Sequence, residues 1–70
     1  MTPDVRAIDT ALDERQTHLN RLGLHAAAWV DACTADDTVM MGVCHACMVV
    51  ARDAFATADA AYQQARADLR

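Results

Sequence analysis

The segment Cys33-Thr34-Ala35-Asp36-Asp37-Thr38-Val39 stands between two heptad patterns that are out of phase, and its reading decides the fold. Upstream, Val5, Ile8, Leu12, Arg15, Leu19, Leu22, Ala26, Trp29 and Cys33 follow one another at alternating spacings of three and four, a helical seam with one polar member, Arg15. Downstream, Met41, Met48, Phe55, Tyr62 and Leu69 recur every seven residues beside two small columns, Cys44, Ala51, Ala58, Ala65 and Cys47, Ala54, Ala61, Asp68. Continuing the first seam would instead select Met40, Val43, Cys47, Val50, Ala54 and Thr57. A single helix, roughly 100 Å long at about 1.5 Å per residue, would therefore waste one of the two faces. The segment between them offers a break: Thr34 with Asp37 three residues on has the form of a capping box, and Asp36, Asp37 or Thr38 can each cap the next helix.

The sequence thus predicts an all-α fold, an antiparallel helical hairpin of two long helices. Helix 1 is expected at about 3–33, a turn at about 34–38 and helix 2 at about 38–69, one domain over residues 1–70. Thr2 is the expected first N-cap, with Pro3 at the first helical position and Asp4 favourably placed against the helix dipole. Residues whose numbers add to about 71 or 72 then lie side by side, which sets Trp29 near Gly42 and Val43, His25 near Cys47, and Leu22 near Val49 and Val50.

Composition raises the question of what completes such a hairpin. Of the 70 residues 54% are hydrophobic, yet only three are aromatic and sixteen are Ala. A chain this short buries about 60% of its unfolded surface, and a core of methyl groups recovers less per residue than one of Leu and Phe. From Val39 to Ala51 only His45 is polar, so this stretch is apolar nearly all round, the mark of a helix covered on more than one side. Two helices cannot cover each other on every side. Homodimerisation into a four-helix bundle is the expected closure, with Trp29, Met41, Cys44, Cys47, Met48, Ala51, Phe55, Ala58 and Tyr62 as interface residues.

Several function classes are disfavoured. Six Arg, no Lys and ten acidic residues give a net charge of −4, and the Arg residues are scattered, so the clustered positive charge that grips phosphates is missing and no nucleic-acid partner is expected. The first residues lack a basic segment followed by an apolar run, and Val39–Ala51 is too short for a bilayer span, so a soluble, cytoplasmic protein with reduced thiols is expected, without a membrane partner. There is no Ser nucleophile, Glu14 is the only Glu, and the E-x-x-H ligands of di-iron bundles are lacking; no catalytic residue and no enzyme is expected. A hairpin with Trp near its turn is similar in outline to the small proteins exported by type VII secretion. Trp29-Val30-Asp31 lacks their W-x-G, however, and Arg66 stands four residues after Tyr62 where that export signal has an acid, so no family is assigned.

Chemistry-bearing side chains crowd in one place, Met40-Met41-Gly42-Val43-Cys44-His45-Ala46-Cys47-Met48. Cys44 and Cys47 point the same way on a helix, and the hairpin brings His25 opposite them. Two thiolates with an imidazole suit Zn²⁺, and thiolates with thioethers suit Cu(I). The competing reading is packing, because free Cys behaves as a small hydrophobe and both Cys columns continue as Ala. Arg15 is placed to pair with Asp59 of the facing arm or to snorkel to water. The expected function is that of a small non-enzymatic interaction protein, a self-associating hairpin that binds another protein as an adaptor or modulator, of the kind phages or high-GC bacteria encode. A metal-binding four-helix bundle using Cys44 and Cys47 is the alternative, and no cofactor is expected otherwise.

Overall fold

The computed structural model describes residues 5–69, which form a helical hairpin of α1 (Val5–Thr34) and α2 (Thr38–Asp68). The only non-helical residues among them are Ala35, Asp36 and Asp37 of the turn, and Leu69. The expected N-cap Thr2, with Pro3 and Asp4, lies outside the described residues.

The break falls where the two heptad phases collide, and the backbone shows how it is made without glycine. Asp37 N–H donates to the Ala32 carbonyl at 2.9 Å and Asp36 N–H to the Cys33 carbonyl at 3.2 Å, the paired bonds of a Schellman motif. That motif needs one left-handed residue, and Asp36 supplies it at φ 54°. Asp is among the few side chains that tolerate this region. Asp37 then serves both helices. Its N–H closes the end of α1, while its carboxylate Oδ1 accepts from Met40 N–H at 3.0 Å and caps α2. The capping box anticipated at Thr34 does not form, because Thr34 is still helical and its hydroxyl donates to the Val30 carbonyl at 3.0 Å.

Packing follows the downstream heptads as read, but rotates α1 away from the expected seam. On α2 the small column is the most deeply buried, with Cys44, Ala51 and Ala58 shielded from solvent, and the Met41–Tyr62 column lies half-buried beside it. On α1, Ile8, Arg15 and Leu22 face the partner helix as expected. The second column holds only toward the turn, where Ala26 and Cys33 are half-buried; Leu12 and Leu19 are each 41% exposed, and Ala11, His18, His25 and Ala32 also line the seam. The physical reason is volume. Two rows of large side chains fill one edge of the seam, and on the other the small α2 row of Cys44, Ala51 and Ala58 leaves room for His18 and His25 beside Ala11 and Ala32.

The result is a rod. Its radius of gyration is 15.9 Å, against about 11 Å for a globular chain of this length, and its long axis extends 55 Å. The buried core among the described residues consists of Ala11, Ala32, Cys44, Ala51 and Ala58, and no large side chain is fully enclosed. Replacing Asp37 with Ala is expected to lower the unfolding free energy by about 1 kcal/mol through loss of the cap. Asp36→Gly, which relieves the left-handed residue, is expected to raise it by up to about 1 kcal/mol. Denaturation midpoints at equal protein concentration check both signs.

Candidate functional site

Because the helices run antiparallel, their large columns lie on the same edge and the seam is a wedge. The thick edge carries Ile8, Arg15, Leu22 and Trp29 from α1 with Met41, Met48, Phe55 and Tyr62 from α2. Leu22 and Met48 share a shallow depression there with His45, Val49 and Arg52. The thin edge opens into a groove of about 430 Å³, walled by His18, Arg21 and His25 of α1 and floored by Ala46, Cys47, Val50, Ala51 and Ala54 of α2. No acidic side chain lines this groove, although the chain as a whole is acidic. Among the described residues no buried side-chain nitrogen or oxygen lacks a hydrogen-bond partner, so nothing polar is held in wait at its floor.

Arg15 organises the thick edge. Its Nε donates to Asp59 Oδ1 at 2.7 Å, and its guanidinium carbon stands 5.2 Å from the Phe55 ring centre and 5.6 Å from that of Tyr62. Both members of the ion pair are about one-third exposed, which limits the pair itself to at most about 1 kcal/mol. Stacking on two rings adds roughly 0.5–1 kcal/mol each at sites of this kind. The one polar member of the upstream seam thus sits in the interface with its cation over two rings as well as against a carboxylate.

The Cys, Met and His side chains are divided among three places. Cys44 is buried in the small column against α1. Cys47 and His25 both line the groove, from α2 and α1 respectively. Cys33 Sγ lies 3.4 Å from Met41 Sδ at the turn end of the thick edge. Within one chain, no three His, Cys, Asp or Glu side chains among the described residues converge on a point that could hold a metal ion, so Cys44, Cys47 and His25 do not form one ligand set by themselves. Of the residues expected at an interchain surface, Met41, Cys44, Met48, Ala51, Phe55, Ala58 and Tyr62 pack in the seam with α1 of the same chain. Trp29 is partly exposed at its edge, and Cys47 faces the groove.

The exposed large apolar side chains comprise Val5, Leu12, Leu19, Trp29 and Leu69 of the expected seams and six that the seams left over. Leu24, Val30, Val39, Met40, Val43 and Val50 stand open along the half of the hairpin that contains the turn, with Leu24 at 70% and Val50 at 69% exposure. α2 also contains an 18-residue window of mean hydropathy 1.4 with no more than two charged residues, of which only 11% is buried. By length and composition this window can cross a membrane, which the shorter Val39–Ala51 run did not suggest. No family model, curated protein or solved structure matches this chain.

Arg15→Ala is expected to lower the stability of the hairpin by roughly 1–2 kcal/mol, since it removes the ion pair and both ring contacts together. Arg15→Lys should recover only part of it, because an ammonium is a point charge without the Nε donor that Asp59 accepts from. Urea unfolding followed by far-UV circular dichroism distinguishes the three proteins.

Proposed function

We propose that the chain is a small non-enzymatic interaction protein, a helical hairpin that joins a second copy in a four-helix bundle and uses the surface left over to bind another protein as an adaptor or modulator. The observation that carries this reading is the mismatch between core and surface. The buried residues among those described are alanine and cysteine, while Leu24, Val39, Val43 and Val50 stand more than half exposed along the half of the hairpin that contains the turn. Scattered apolar side chains are ordinary on a protein surface, but a contiguous group on both helices is the usual sign of an interaction site.

Burial in a partner protein fits this group better than burial in lipid. Arg52 and Asp53 lie inside the apolar window of α2, toward its C-terminal side, and charges within a bilayer are costly, most of all at its centre. α1 packs along α2 and carries Asp9, Asp13, Gln16, Asn20 and Asp31 on its outer surface, so the hairpin as a unit is suited to water and to a cytoplasmic setting.

Self-association makes stability depend on concentration, since only the folded state is bound by its partner copy. The melting temperature is therefore expected to rise by several degrees between about 1 and 100 μM chain, as the gain of RT ln(1 + [L]/Kd) grows. Sedimentation equilibrium over the same range is expected to report a dimer. A mass that stays monomeric with an unchanging melting temperature would remove the basis for this function.

A further inference from the structure

We propose that the groove on the thin edge binds a small amphiphilic anion, a carboxylate on an apolar body, with the carboxylate on Arg21 between the imidazoles of His18 and His25 and the body along Cys47, Val50 and Ala54. The whole lining comes from one chain, so the proposal stands apart from self-association.

The two sides of the groove differ in kind. The wall from α1 is ionisable throughout: His18, Arg21 and His25 follow at spacings of three and four, which sets them on one face of the helix within two turns, roughly 10 Å. The floor from α2 is alanine, valine and one thiol. A wholly apolar ligand would leave the wall's N–H groups against hydrocarbon, and a nucleic acid would find one permanent charge and a floor without donors. One anionic head on an apolar body meets both sides. The space of about 430 Å³ lies within the range of roughly 300–1,000 Å³ common to small-molecule sites.

The pairing of the arginines points to the same ligand. Arg15 holds Asp59 and lies over Phe55 and Tyr62, Arg52 holds Asp53, and Arg66 lies over Tyr62. Arg21 has no ion pair, side-chain hydrogen bond or ring contact among the described residues, and neither do His18 and His25. This is a chain with ten acids to six Arg, yet none of its carboxylates reaches this wall. Asp53, next to the floor residue Ala54, is turned to Arg52 at 3.2 Å, and Glu14 stands a full heptad before Arg21. An external carboxylate therefore meets no competitor in the lining. The guanidinium fork matches its two oxygens, and each imidazole carries at least one N–H in either protonation state.

The test is titration of the nitrogen-15-labelled full-length chain with decanoate and, separately, with decyltrimethylammonium, each below its micelle-forming concentration. Circular dichroism confirms that the helices persist. Decanoate is expected to give saturable amide shifts at residues 18–25 and 46–54. The cation, which the net charge of −4 favours, is expected to give none there. Arg21→Gln and Val50→Asp, both at exposed positions, are each expected to weaken decanoate about tenfold or more. Arg66→Gln on the thick edge makes the same change of net charge and is expected to weaken it less than about twofold. The site is overturned if decanoate produces no saturable shifts, if the cation binds the groove as tightly, or if Arg21→Gln and Arg66→Gln lose affinity equally. Shifts centred on Leu22, His45 and Val49 would overturn it too, because they place the ligand in the depression on the other edge.

Discussion

Two helices packed side by side share one line of contact, and each can cover only one stripe of the other. That limit governs everything else in this hairpin. The seam must hold helices of 30 and 31 residues together with a few large side chains, so it combines a thick edge, where Arg15, Leu22, Met48, Phe55 and Tyr62 interlock, with a thin edge where Cys44, Ala51 and Ala58 let the axes draw in. The groove is the geometric remainder of that asymmetry. So are the open Leu24, Val43 and Val50, which meet no third helix among the described residues.

The hairpin was legible because its two heptad patterns cannot be served by one straight helix, and this located the turn to within a residue. The α2 seam was legible too, since large and small side chains repeat there without exception from Met41 to Tyr62. The α1 seam was half legible. Counting apolar residues favours Leu12 and Leu19 over His18 and His25, but the choice is made by volume across the interface, a property of both helices at once that neither pattern shows alone. The turn geometry was hidden for a similar reason. Four polar residues in the break could each cap a helix, and only the left-handed backbone at Asp36 decides that Asp37 is the one that does.

The cysteines show where sequence proximity and spatial proximity part. Cys44 and Cys47 are three residues apart and share a side of α2, yet the wedge separates them: one is sealed against α1 and the other looks into the groove. A thiol three positions along a helix turns by about 60° relative to its neighbour, and that angle is enough to straddle the boundary between seam and surface. Cys44 behaves as its column-mates Ala51 and Ala58 do, which is the packing role that their common heptad position implies.

The Arg15–Asp59 contact has a further meaning for how the chain avoids folding wrongly. Heptad repeats of Ala are nearly alike from one turn to the next, so a hairpin built on them risks sliding by seven residues into a look-alike packing. Asp59 belongs to the row His45, Arg52, Asp59, Arg66, in which it is the sole acid. A slip of one heptad in either direction would bring Arg15 beside Arg52 or beside Arg66. Each slipped state would keep its methyl-to-methyl contacts and lose an attraction while gaining a repulsion. A single carboxylate among arginines thereby separates one alignment from its near-degenerate neighbours, in a seam whose alanines discriminate little between them.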